Sequence, residues 1–422
     1  VEAIAVEGGS PITGEVRVGG AKNSALKLMA AALLAPGVTT LRNVPDISDV
    51  ALMAEVLEHL GAVVTRADHV LIIDATELVS YEAPYDLVVR MRASTCVLGA
   101  LVGRLGRAHV AMPGGCNIGS RKVDMHIHGL EQLGVTVNTE HGYIDASGRA
   151  RGASVVLDFP SVGATENLLM ASVRAEGVTV IDNAAREPEI VDLATMLREM
   201  GATIEGAGTS VIRITGVEAL SAVDHTVVGD RIEAGTYLMA GAIDSGPVTV
   251  TGFDPEHLDI VLQKLEQAGC TLERGVDRVT ISRTGPLRPV DIQTLPYPGF
   301  PTDLQSLFMT LMSMADGGSV ITENVFENRF IFADEIVRMG ANVRIDGHYA
   351  LVRGVARLSG APVASPDLRG GAALVLAGLV ADGRTVVTEV HHIDRGYEGF
   401  VDKLRSLGAD VRRVEADGLE TA

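Results

Sequence analysis

An α/β fold in two domains is predicted by three observations: a phrase that recurs six times, a length beyond what one core fills, and a glycine-rich, aromatic-poor composition. The phrase is an amphipathic stretch ending in Leu or Met, then Gly, a small residue and an alternating β-branched run. Its glycines are Gly61, Gly134, Gly201, Gly269, Gly340 and Gly408, in contexts such as LEHLGAVV, LREMGATI and LRSLGADV. They repeat at a period of roughly 70 residues, long enough for one supersecondary unit each. At 422 residues the chain exceeds the size at which a single core stops growing. Hydrophobic content of 47% fills two cores, while aromatics of only 4% and 47 glycines suit tight turns between small aliphatic helices and strands.

Within each repeat the amphipathic stretch reads as a helix, because a glycine that enters the left-handed region is a common helix terminator. The following run reads as a strand from its alternation, as in Ala341, Val343 and Ile345. The second half of each period opens with a G-x-V/T-x-V strand, such as 177–181 or 383–387. Between that strand and the closing helix lies a polar segment unique to each repeat: PDISDV, PGGCNIGSRKVD, AAREPEIVD, FDPEHLD, VFENRF and HHIDRGYE. Variable loops on a constant scaffold are where chemistry is expected, although solvated helix caps account for many of the same polar residues. Six units divide into three and three. The boundary is placed near Gly229, where VVGDRIEAGTY interrupts the pattern. Two pseudo-symmetric α/β domains facing each other across a cleft would let helix N-termini converge on an anion.

Composition excludes several classes. A formal net charge of -19 opposes binding to nucleic acid or an anionic membrane, both of which need a basic footprint. No apolar stretch approaches the roughly 18 residues of a membrane span, and the N-terminus lacks the layout of a signal peptide, so a cytoplasmic location is expected. Three cysteines without a CxxC pair argue against a disulfide framework or structural zinc. No histidine pair has metal-ligand support at suitable spacing, so neither a metal nor any other cofactor is expected.

Single residues then stand out. Cys96, in STCVLGALV, and Cys270, just after a repeat glycine, read as core. Cys116, in MPGGCNIGSR, has little packing rationale among three glycines and beside Arg121; a thiol there could serve as general acid or as nucleophile. The glycines of 113–121 also make that loop a candidate lid. In so acidic a chain the loop arginines Arg92, Arg121, Arg186, Arg231, Arg329, Arg369 and Arg395 are conspicuous. Guanidinium forks suit phosphate and carboxylate, and structural ion pairs are the alternative. Lys22, after two glycines in GGAKNSALKL, looks like a phosphate-cradling turn without being a P-loop. Asp303, in GFPTDLQ, is either a helix cap together with Thr302 or a general base.

Taken as an ordered set, GGAKNSAL, MRAS, PGGCNIGSR, SVGATEN, NAAREPEIVD, GDRIEAGT, FPTDLQ, ENVFENRF, DLRGGAALVLAG and HIDRGYE resemble the UDP-N-acetylglucosamine 1-carboxyvinyltransferase family, essentially end to end. The resemblance implies an inside-out α/β barrel of three repeats in each domain, with the first strand returning to the second domain. The domains would then be 21–228 and 1–20 plus 229–422. It implies transfer of the enolpyruvyl group of phosphoenolpyruvate to the 3′-hydroxyl of UDP-N-acetylglucosamine, through a tetrahedral ketal. Lys22 and Asn23 would bind phosphoenolpyruvate, and Cys116 would protonate its methylene carbon, form a covalent adduct at the neighbouring carbon and be alkylated by the epoxide fosfomycin. Arg121 and Arg395 would steady phosphate and carboxylate. Arg92, Arg121, Lys122, Val123, Asp124, Met125, then Phe159, Pro160, Ser161, Val162 and Gly163, and Val325 with Arg329, would hold the sugar nucleotide. Asp303 would take the proton of the 3′-hydroxyl, and Arg369 would aid closure on phosphoenolpyruvate. Two positions depart from the family pattern, Lys122 where many relatives have Pro and Phe159 where many have Lys, so nucleotide contacts there are expected to differ. The related shikimate-pathway transferase shares the implied barrel but lacks the cysteine loop.

Overall fold

The computed structural model describes residues 2–113 and 123–415. They divide into two compact units, here the first unit (20–113 with 123–228) and the second unit (2–19 with 229–415). Each has its own apolar core, one running from Ala25 to Val227, the other from Ile4 to Val411.

The repeat seen in the sequence is a repeated sheet. In one sheet Ser154–Val156 runs parallel to Val178–Asp182, which pairs antiparallel with Val211–Thr215, itself antiparallel to Thr203–Glu205. Among the described residues, six four-stranded sheets share this order, and none is closed. Three strands reach their sheets from far along the chain. Asp224–Thr226 lies parallel to Val38–Arg42, and Gly14–Arg17 parallel to Val248–Thr251. Glu2–Glu7 inserts between Arg384–Thr388 and Asp410–Glu415. Alternation along the strands turns one face to the core and the other to water, as in Val211–Thr215.

All six repeat glycines have positive φ, between 80° and 108°. The hydrogen bonds around them are the same each time. In the first, Gly61 N donates to Glu58 O and Ala62 N to Leu57 O; in the last, Gly408 N donates to Arg405 O and Ala409 N to Leu404 O. This is the Schellman closure, and an L side chain at the glycine would be strained in it.

Two kinds of helix result. Those that end at the glycines, such as Pro188–Glu199, bury one face. Three others in each unit are buried nearly all round: Lys22–Ala31, Val97–Leu105 and Val162–Ser172 in the first, Arg231–Asp244, Gln305–Met312 and Leu368–Val380 in the second. The alternating strands can present a wet face and these helices cannot. Small residues allow the close packing: a Cβ on Gly99 would lie 2.2 Å from the Asn167 carbonyl oxygen of the facing helix.

One exception to the apolar interior is instructive. Lys27 Nζ meets Glu166 Oε2 at 2.8 Å between two of these central helices. Burial, only partly offset by Lys27, pushes the Glu166 carboxyl up to about 7. An acid whose folded pKa stands above its unfolded value costs the fold progressively as pH rises between the two. Without Lys27 that decline extends to higher pH. Lys27→Met is therefore expected to destabilise the protein by about 3–5 kcal/mol at alkaline pH and by clearly less under acid conditions, where a neutral Glu166 needs no cation. Denaturant unfolding on either side of neutrality checks this.

Candidate functional site

In the first unit, the residues expected to hold anions cluster at helix starts. Lys22 opens Lys22–Ala31 and its Nζ lies 2.9 Å from Asp49 Oδ2, at the start of Ser48–His59. Asn23 follows on the same turn. A Cβ on Gly20 would sit 1.8 Å from the Asn43 carbonyl oxygen, so chain packing alone already requires glycine there. Gly229 meets the Gly252 carbonyl in the same way in the second unit.

A second cluster of the first unit assembles three separate sequence segments around His126. Arg92 begins the 3-10 turn Arg92–Cys96. Asp124 and Met125 open the helix Asp124–Gln132, preceded by buried Val123. Ser161 caps the helix Val162–Ser172 by accepting from Ala164 N, with Phe159 partly exposed just before it. Pro160 lies between them. His126 joins these pieces. Its Nδ1 meets Asn167 Nδ2 at 2.8 Å, and a Cβ on Gly163 would lie 3.2 Å from its Cε1. Burial, then the nearby Arg92 charge, pushes the imidazole down to about 4, so it is neutral at physiological pH. With Nδ1 accepting from Asn167, Nε2–H is a donor near the Gly163 turn. The sequence offers His126 only as a weak metal-ligand candidate and gives Asn167, inside SVGATEN, no role of its own.

The second unit gathers Asp303, Arg329 and Arg369. Asp303 lies in the 3-10 turn Thr302–Leu304, and its two carboxylate oxygens accept from Arg329 Nη2 at 3.0 Å and Arg369 Nη2 at 3.4 Å. Pro301, the cap residue of that turn, makes no side-chain hydrogen bond, and Thr302 donates to Glu323 Oε2 at 3.1 Å. Both arginines are buried, with 3% and 2% of their surfaces exposed. Arg329 comes from VFENRF at the start of Arg329–Phe332, and Arg369 from the first turn of Leu368–Val380, whose cap Asp367 accepts from Arg369 N and Gly370 N. Burial opposes the Arg369 charge, but Tyr397, Asp303 and Asp230 outweigh it and hold the guanidinium firmly protonated. Its plane lies over the Tyr397 ring at 5.0 Å, and the Tyr397 hydroxyl meets Thr236 Oγ1 at 2.8 Å. Val325 is set by Glu323, a buried carboxylate that accepts from the backbone N–H groups of Val325 and Phe326. Arg395 closes the short helix His391–Asp394 and, after burial and His391, helps to lower the His392 pKa. Neither Glu323 nor Tyr397 was singled out from sequence, since an acid among TENVFEN and a tyrosine after an arginine carry no pattern.

Other expectations are placed as follows. Arg231, at the start of Arg231–Asp244, is buried with its guanidinium 5.5 Å from the Tyr297 ring. Cys96 and Cys270 are buried, and burial pushes their thiols up to about 12 and about 11, as expected of core cysteines. Cys116, Arg121, Lys122 and all but the first residue of the lid candidate lie outside the described residues. Among the described residues no helix is long and apolar enough to cross a membrane.

Comparison with known proteins bears on this geometry. Residues 6–404 match the family described as EPSP synthase (3-phosphoshikimate 1-carboxyvinyltransferase). The chain is 56% identical over 415 residues to a UDP-N-acetylglucosamine 1-carboxyvinyltransferase of Mycolicibacterium paratuberculosis, covering 98% of this chain and 100% of that one. It is 52% identical to a protein of the same name from Desulfatibacillum aliphaticivorans, with 98% and 100% covered. The solved enolpyruvyl transferase NikO from Streptomyces tendae superposes with a TM-score of 0.88 at 31% identity, over 98% of this chain and 99% of that one. The EPSP synthase of Acinetobacter baumannii, at 16% identity and a TM-score of 0.75 over 98% and 100%, shares the fold. With an α/β architecture, a sixfold sheet and full-length identity above one half all agreeing, the chain belongs to the EPSP synthase family and, within it, to the UDP-N-acetylglucosamine 1-carboxyvinyltransferases.

Proposed function

We infer that the protein transfers the enolpyruvyl group of phosphoenolpyruvate to the 3′-hydroxyl of UDP-N-acetylglucosamine and releases phosphate, the first committed step of peptidoglycan synthesis. One observation carries the reading beyond the names of its relatives. Arg329 Nε is buried without a hydrogen-bond acceptor, although the Arg329 and Arg369 guanidiniums converge on Asp303. An unpaired buried donor of this kind costs free energy that an arriving phosphate or carboxylate would recover.

The proposed chemistry assigns each group a step. Lys22 and Asn23, with Arg121 and Arg395, hold phosphoenolpyruvate. The His126 cluster, Arg121, Lys122 and Val325 hold the nucleotide sugar. Cys116 gives its proton to the methylene carbon while the 3′-oxygen attacks the adjacent carbon, and Asp303 takes the hydroxyl proton. As an anionic substrate draws Arg329 and Arg369 toward itself, the Asp303 oxygens become free to accept. Loss of phosphate and of a proton from the new methyl group restores the double bond. The same resemblance supports an inside-out barrel in each unit, with helices within and open sheets around them.

The test is phosphate release from phosphoenolpyruvate with and without UDP-N-acetylglucosamine, repeated after fosfomycin. Sugar-dependent release, abolished by a single adduct on Cys116, is expected. Release that persists with Cys116 alkylated would remove that thiol from the mechanism; no release at all would overturn the proposed activity.

A further inference from the structure

Behind the Lys22–Asn23 turn, a chain of polar side chains crosses the interior of the first unit. Ser24 Oγ donates to Asp192 Oδ2, and both residues are buried. The same carboxylate oxygen accepts from Val228 N at 3.2 Å, while the Val228 carbonyl accepts from Ala21 N at 2.7 Å. Asp192 thus holds the helix start on both sides of Lys22, through the Ser24 hydroxyl and through the Ala21 backbone. Its second oxygen faces His225 Nε2 at 3.0 Å, and His225 Nδ1 faces Glu199 Oε2 at 2.6 Å. The Lys22–Asp49 pair and the substrate residues leave this chain unused.

We propose that Asp192, oriented by His225, is a positioning residue that fixes the Lys22–Asn23 turn for its anionic substrate. The proposal rests on the reading that this turn binds phosphoenolpyruvate. A neutral imidazole has one N–H and one lone pair, so it can serve only one of the two carboxylates that flank His225. Both are served only when the ring carries two protons. The charged groups around the ring are Asp192 and Glu199 from the helix Pro188–Glu199, and Asp224 beside it on its own strand, which is itself paired with Arg42. Burial opposes the charge, but the hydrogen bonds to Asp192 and Glu199 outweigh it and hold the His225 pKa above its ordinary value. A group of this kind stabilises the fold fully below its unfolded pKa, and the contribution is lost as pH rises through the folded one. The anchor is therefore firm near pH ~6 and loosens on the alkaline side.

The experiment uses the full chain and the variants His225→Gln, Ser24→Ala and Ser24→Thr. KM for phosphoenolpyruvate and kcat are measured from pH about 6 to about 9, and amide exchange of residues 20–26 is measured at the acid end. In His225→Gln and Ser24→Ala, KM is expected to rise about tenfold at the acid end with kcat within about twofold. KM of the parent should climb toward that value with pH while that of His225→Gln stays flat. Ser24→Thr, which keeps the hydroxyl, should restore the parent value, and exchange across 20–26 should quicken in His225→Gln. A lowered Tm with unchanged KM and unchanged exchange across 20–26 would reduce the chain to a structural prop and overturn the proposal. Were the parent to show no transfer at all, the functional reading would fail separately, and the exchange result alone would decide whether the anchor exists.

Discussion

Asp303→Asn is expected to lower kcat by about 10²–10⁴-fold, the range typical of a lost general base. The substitution keeps the shape of the side chain, so a loss of this size would come from chemistry and not from packing. It also leaves two buried guanidiniums facing a neutral amide instead of the carboxylate that takes one hydrogen bond from each. Their shared need for an anion then becomes measurable without turnover: inorganic phosphate should raise the Tm of Asp303→Asn more than that of the parent. Steady-state rates and thermal unfolding with and without phosphate check both halves. Full turnover in the variant would remove Asp303 from the role of base.

Arg369→Met is expected to lower kcat/KM about 10²-fold, the worth of one or two charge-assisted hydrogen bonds. Met fills much of the same volume, which limits the cavity beside Tyr397. Arg369→Lys should recover little, because a buried ammonium replaces a planar fork that both meets Asp303 and lies over the Tyr397 ring. Near-complete recovery by Lys would mean that charge alone matters at this position.

Much of this architecture was legible in the chain because it is written six times. A glycine after an amphipathic run is ambiguous once, but six of them in register leave the left-handed cap as the common reading, and every one adopts it. Which helices lie wholly inside was harder to see. Leu368–Val380 is apolar from Gly370 onward and announces its burial, whereas Lys22–Ala31 and Val162–Ser172 carry Lys27 and Glu166, which look like surface charges until they are found paired. At the site, arginines were visible as anomalies in an acidic chain, and Arg329 and Arg369 do meet Asp303. Their partners were not visible, because His126 with Asn167, and Asp192 with His225, are joined across 41 and 33 residues of sequence by contacts that only the fold creates. Gly20 likewise answers to the carbonyl of Asn43, a neighbour in space and not in sequence.

The strand Glu2–Glu7 is synthesised long before either of its partners, Arg384–Thr388 and Asp410–Glu415. At ordinary translation rates it waits on the order of tens of seconds. The first unit, by contrast, holds all of its strands within 38–226 and can be complete while the ribosome is still at work on the second. In the second, Gly14–Arg17 waits in the same way as Glu2–Glu7, for Val248–Thr251. Pairing brings Glu2–Glu7 and Asp410–Glu415 side by side. Joining those two strands by a linker and opening the backbone instead at the exposed hairpin around Gly347 should place Glu2–Glu7 after its partners and pass the wait to Tyr349–Arg353, whose partners Gly318–Thr322 and Asn342–Asp346 would then come last.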